Sequence, residues 1–415
     1  MKQILFFVIS VLTALTACTS DREQEGTLTG MQRPIGFDCY LGNTPQTRAY
    51  QGNMTTDELK QTGFGVLGYY TENADYTGAT KPDFMFNEKI YWKASESKWD
   101  YDTKQYWPNG QNNKLSFFAY APYVAAGESE GITSLPSNTT AVEPVIGYKM
   151  GTTGNVDLLW GVNEDGNAYG TSSYKMNVNL TKQAISDRIH FTFKHALANV
   201  AGSQGCLKVL LDVDALQGSI TEGAGTGFDP TNTKVTLKSV TISNATGSKA
   251  PVTSGSLNLA TGKWTLGSET GSFSYTFSTA TAGLLNSDIA EPVSVASWSS
   301  ISSQKGITLT AQDVISSDAA AGIPLIVFIP GQAPDITVTS EYYIRTRDPK
   351  LDQGFSELHQ VITNDVTLPM LQSNSRYTLY LHLGLTSVKF SAAVDSWDTT
   401  NGTHEQPVDL PANEQ

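Results

Sequence analysis

Cysteine is scarce in this 415-residue chain, with three thiols at Cys18, Cys39 and Cys206. That excludes a disulfide-dense scaffold, and because Cys18 has another use described below, Cys39 and Cys206 are the only possible bridge. Two buried thiols are expected in preference to it. Five histidines show no zinc-ligand spacing with these cysteines, so no metal or other cofactor is expected. Positive charge is in deficit, with 27 Lys+Arg against 40 Asp+Glu and a formal charge of -13. Such a chain repels phosphate backbones, and nucleic acid is not an expected partner. There is no G-x-S-x-G elbow, H-E-x-x-H pair or phosphate-cradling glycine loop, and an enzyme is not expected. The NEDGN run at 163–167 lacks the ligand set and closing glutamate of a calcium loop and reads as a turn. After the first residues, no apolar run is long enough to span a bilayer.

What is present begins at the N-terminus. Lys2 gives a small positive start, and Ile4 to Leu15 forms an apolar stretch of about a dozen residues, the length of a signal-peptide core and too short to span a membrane. It ends in Leu15-Thr16-Ala17-Cys18, small residues before a cysteine, as a lipoprotein signal peptidase requires. Residues 1–17 therefore read as a signal peptide, Cys18 as the lipidated residue, and 18–33 as a polar tether. A lipid on Cys18 would be the membrane anchor.

The remaining roughly 370 residues are enough for two sandwich-sized domains. The 36 glycines and 18 tyrosines suit turn-rich β structure. Ile35, Phe37, Cys39 and Leu41 alternate with Gly36, Asp38 and Tyr40, the period of a half-buried strand. The same period recurs in KLSFFAYAP, RIHFTFKHAL, CLKVLLDV, DITVTSEYYIRT and RYTLYLHLGL, while PLIVFIPG reads as a strand covered on both faces. Only TTDELKQ and AQDVISSDAAA suggest short helices. The fold class is all-β, as antiparallel sandwiches. A polar Gly/Asn/Ser/Lys segment at 163–187 places a division near 186, giving an N-terminal domain at 34–186 and a C-terminal domain at 187–415.

Several strings in order resemble the fimbrillin-like family of Bacteroidetes pilus subunits. They are the Ile35–Leu41 strand, QTRAY (46–50), GFGVLGYY, YWPNGQNNKLSFFAYAP, DLLWG (157–161), FTFKHALANV, LNLATGKW and the closing SNSRYTLYLHL…VKFSAAVDSW. Together they reach from Ile35 to Trp397. The resemblance implies two tandem transthyretin-like β-sandwiches in a polymerising lipoprotein precursor. It further implies an outer-membrane lipid anchor, cleavage by an Arg-specific surface protease after the first strand, and assembly with other pilus subunits by strand exchange. The fimbria so built would meet a host or bacterial receptor.

On the residues themselves, Arg48 sits in GNTPQTRAYQGN, a polar segment suited to protease access. A cut between Arg48 and Ala49 detaches the strand at 34–48, whereas a cut at Arg22 or Arg33 leaves it in place. Losing Ile35, Phe37, Cys39 and Leu41 from a core would forfeit of order 6–10 kcal/mol. A donor-like tail begins at about 386, where Val388, Phe390, Ala392 and Val394 alternate with polar residues, and Val408 and Leu410 add a weaker apolar element. The alternative is that Val388–Trp397 is the last strand of its own domain, and the two readings coexist if the arm packs at home before assembly. His195 shares a face with Phe191 and Phe193 and reads as a core histidine. A rival function rests on Tyr91, Trp92, Trp99, Tyr101, Tyr106 and Trp107, whose rings would stack on sugars in a surface glycan-binding lipoprotein. A glycoside hydrolase would need two carboxylates across a cleft, and nothing singles out such a pair.

Overall fold

The computed structural model describes residues 34–41, 54–152, 155–163, 177–182, 188–201, 207–211, 232–245, 249–278, 315–316, 325–384, 388–397, 408–410 and 412–413. They belong to one compact unit, Pro34–Gln415.

Strand β1 (Gly36–Leu41) comes first, followed by helix α1 (Thr56–Thr62). Next are β2 (Phe64–Tyr70), β3 (Met85–Lys93), β4 (Lys98–Asp100) and β5 (Leu115–Ala121). Strands β6 (Gly131–Ser134), β7 (Val145–Lys149), β8 (Leu159–Val162), β9 (Asn177–Leu180) and β10 (Arg188–His195) follow. After them come β11 (Ala198–Val200), β12 (Leu207–Leu211), β13 (Thr233–Asn244), β14 (Ser254–Asn258), β15 (Lys263–Leu266) and β16 (Ser274–Ser278). The C-terminal part holds β17 (Ile315–Ser316), β18 (Val327–Phe328), β19 (Asp335–Arg347), β20 (Phe355–Thr367) and β21 (Ser375–Leu383). It ends with β22 (Val388–Ser396), β23 (Val408–Leu410) and β24 (Ala412–Asn413).

The all-β expectation holds. The TTDELKQ helix forms as α1 because Thr55 caps it: its hydroxyl accepts from Glu58 N, and the Glu58 carboxylate accepts from Thr55 N. In AQDVISSDAAA, by contrast, Ile315–Ser316 is strand, and the rest lies outside the described residues.

Four sheets result. The first runs β1-β10-β8-β5-β2-β3-β4, with β9 beside β5, and the second runs β15-β14-β7-β6. A third is ordered β17-β12-β21-β11-β18 and extends through β22 and β23, and the fourth is β16-β13-β19-β20-β24. Most pairings are antiparallel, but β1 lies parallel to β10, and β11 and β12 lie parallel to β21.

Strands β2 and β5 are apolar on both faces because each face meets a different core. Phe64, Val66, Phe117 and Ala119 enter one cluster with Ile35, Phe37 and Phe191. Leu67, Tyr69, Phe118 and Tyr120 enter a larger one that continues through Leu257, Val338 and Leu381. Two sets of pairings bear on the expected division near 186. β10 begins at Arg188 yet completes the first sheet between β1 and β8, and the β14–β15 hairpin pairs back onto β7. The partners of β10 precede the polar run in the chain, and β11 begins the third sheet at Ala198.

Candidate functional site

Strand β1 forms an edge of the first sheet, in register from Gly36↔Arg188 to Leu41↔Phe193. Its alternation places Ile35 and Phe37 fully inside the smaller core, with Cys39 and Leu41 half-buried against it. Phe37 has ring centroids 5.6 Å from Tyr101, 5.6 Å from Phe117 and 6.3 Å from Phe191. Two fully buried side chains contribute about 3–6 kcal/mol, so the expected 6–10 kcal/mol is trimmed by the partial exposure of the other two. Cys39 is a free thiol, and burial, reinforced by the Asp38 carboxylate, pushes its pKa up and keeps it protonated.

The other flank of β1 is held by side chains and one short bridge. Ile35 N donates to Gln105 O at 2.8 Å, and Pro34 bridges Tyr106. Tyr101 Oη donates to Ile35 O at 2.7 Å, and burial pushes that hydroxyl up to about 12, so it remains a donor. Arg188 lies across the strand. Its Nε is 2.8 Å from Asp38 Oδ2, and its Nη2 donates to Phe37 O at 2.5 Å and Trp99 O at 3.0 Å. A Cβ on Gly36 would come within 3.3 Å of the Arg188 side chain, so glycine there gives the guanidinium its path.

The aromatic cluster turns out to be the wall of this groove. Trp99 and Tyr101 are buried, and Trp92 and Trp107 pack half-buried on the same core, while Tyr106 stays exposed. Tyr91 Oη bonds Asp102 at 3.1 Å. As a sugar-stacking platform the group fails, because its largest rings face inward. Sequence reasoning missed Arg188, which showed only as a polar position on its strand.

The expected donor residues sit elsewhere. Val388, Phe390, Ala392 and Val394 lie on β22, which pairs along its whole length with β21. Val388, Phe390 and Ala392 are buried in that position. In this subunit they are home-sheet residues, because the inward face of β22 covers the larger core. Beyond Trp397 the described residues are 408–410 and 412–413, and Leu410 packs against the larger core. β23 pairs through Ala392↔Val408, Ser391↔Asp409 and Phe390↔Leu410, and β24 pairs with Asp365 and Val366. Cys18, Arg48, Ala49 and Cys206 lie outside the described residues.

His195 is a core residue, as its face implied. Its Nδ1 donates to Asp157 Oδ2 at 2.8 Å, and its ring stacks on Trp397 at 4.1 Å and 6°. Among the described residues, no group of three His, Cys, Asp or Glu is arranged to hold a metal ion.

β1 thus fills an apolar groove as an edge strand of the first sheet. The sequence model of the fimbrillin-like family matches residues 47–397, and the chain belongs to that family. Among solved structures, it is similar to a fimbrial protein from Bacteroides vulgatus at 21% identity and TM-score 0.60, covering 88% of this chain and 99% of that one. Proposed cell adhesion proteins from Bacteroides uniformis and Bacteroides ovatus match at 15% and 14% identity, with TM-scores of 0.40 and 0.39. These cover 88% and 89% of this chain and 99% and 100% of theirs. No curated protein matches the chain.

Proposed function

We propose that this chain is the precursor of a pilus subunit, a structural protein that polymerises by strand exchange at the cell surface. The observation that carries the reading is β1, an edge strand that fills an apolar groove just upstream of the polar Arg48 segment. Lipid on Cys18 holds the precursor at the outer membrane. An Arg-specific surface protease cuts at Arg48–Ala49, and β1 leaves with the tether. The exposed edge of β10 and the empty groove then require a strand from another subunit. That strand is the tail beyond Trp397, because removing β22 would open the home core whereas β23 and β24 hold on by short pairings. The contact is heterologous and does not close, so it grows a filament, which carries adhesion to a host or bacterial receptor. The fimbrial neighbour from Bacteroides vulgatus and the family membership support this reading.

Treating the detergent-solubilised precursor with an Arg-specific protease tests it. The expected products are a new N-terminus at Ala49 and oligomers that resist mild denaturant, because strand exchange reverses slowly. Arg48→Ala precursor should remain monomeric under the same treatment. Equal polymerisation of Arg48→Ala and wild type on a native gel sinks the activation step.

A further inference from the structure

We infer that Arg188 selects the incoming strand by its acidic residue, and that Asp409 of a second copy of this chain supplies it. The inference rests on the strand-exchange reading and adds a register to it. In the closed subunit Arg188 has three partners across the groove: Asp38 Oδ2, Phe37 O and Trp99 O. Removing β1 takes the first two and leaves a half-buried guanidinium with one carbonyl. Such a fork favours a strand that returns a carboxylate and a neighbouring carbonyl in the same places.

β1 presents them as Phe37-Asp38-Cys39, an outward aspartate between two inward apolar residues. Past Trp397, that pattern occurs in Val408-Asp409-Leu410, whereas Asp398, Glu405 and Glu414 lack apolar neighbours on both sides. The triplet reads the same in either chain direction, so Asp409 can meet Arg188 whichever way the tail enters. Pro407 and Pro411 flank it, and because proline has no N–H to give to a ladder, the insert is short. Backbone pairing over so few residues specifies register weakly, which leaves the charge pair to set it. At home, Asp409 pairs opposite Ser391 in the β22–β23 ladder, whereas in the groove it would face the Arg188 guanidinium. One chain thus carries both the socket and a matching plug.

The test compares polymerisation rates of full-length precursors after Arg-specific cleavage, for wild type, Asp409→Glu, Asp409→Lys, Arg188→Glu/Asp409→Lys and a deletion of 398–415. Lysine is used because an Arg-specific protease does not cut after it. Asp409→Glu should polymerise near the wild-type rate. Asp409→Lys should be at least about tenfold slower, since it sets like charges face to face in a partly buried groove. The doubly exchanged chain, which restores opposite charges, should recover most of that loss. Deletion of 398–415 should abolish polymer, and a deletion chain that still polymerises defeats the strand-exchange reading itself. If deletion abolishes polymer but Asp409→Lys matches wild type, only the Arg188–Asp409 register is overturned. A folded double variant as slow as Asp409→Lys overturns it as well. Should the double variant not fold, the Glu-against-Lys comparison at 409 decides.

Discussion

Replacing Phe37 by alanine is expected to lower the stability of the uncut precursor by about 3–5 kcal/mol. On the proposed cleavage at Arg48, the mature subunit should not change at all, because the substitution would depart with the strand. Phe37 is 1% exposed and sits among Tyr101, Phe117 and Phe191, so truncation leaves a cavity walled by rigid rings that cannot collapse into it. Leu41→Ala, at the half-buried end of the same strand, should cost distinctly less. Urea unfolding of the two precursors measures both. A loss at Phe37 below about 1 kcal/mol would mean that β1 does not anchor through this residue. The kinetic consequence runs the other way. A weaker β1 opens more often, so cleavage at Arg48 should be faster in Phe37→Ala wherever local opening limits access.

Much of this was legible in the sequence, and what was not is long-range. The inward set of Ile35, Phe37, Cys39 and Leu41 follows from period two, which any half-buried strand must show. The partner and direction of β1 do not follow, since Gly36 pairs with Arg188, which no local pattern connects to it. For the same reason Arg188 escaped notice: its clamp exists only in the register that brings Asp38, Phe37 O and Trp99 O within its reach. The aromatic run gave its composition but not its facing. Trp99 and Tyr101 alternate inward from a short strand whose orientation is set by closure against β1. The division expected at 186 rested on a polar stretch, yet strand order, not composition, decides which sheet β10 completes. At β22 the ambiguity was physical. A strand that covers its own core and a strand that covers a neighbour's need the same alternation, and only the observed pairing with β21 distinguishes them.

Trp397→Ala is the second change with a large expected effect, again about 3–5 kcal/mol, and here precursor and mature subunit should lose it alike. Trp397 is 1% exposed, its N donates to Asn374 O at 2.8 Å, and its ring lies flat on His195 at 4.1 Å. His195 ends β10, and its Asp157 partner also accepts Met54 N at 3.0 Å. One stack therefore joins the last residue after β22 to the end of the strand that lines the β1 groove. Residues up to Trp397 cannot leave without unstacking it, whereas the described residues beyond it pair through β23 and β24, with Leu410 against the larger core. On the strand-exchange reading, a donated arm starts beyond this stack. Trp397→Phe keeps an aromatic face on His195 and should lose only about 1–2 kcal/mol. Deleting 398–415 should cost the monomer less than Trp397→Ala while removing polymer entirely. Denaturant midpoints of the three chains, read beside a native gel, separate core from arm. If the tail deletion destabilises the monomer as much as Trp397→Ala, the boundary at Trp397 is misplaced and the tail is part of the home fold.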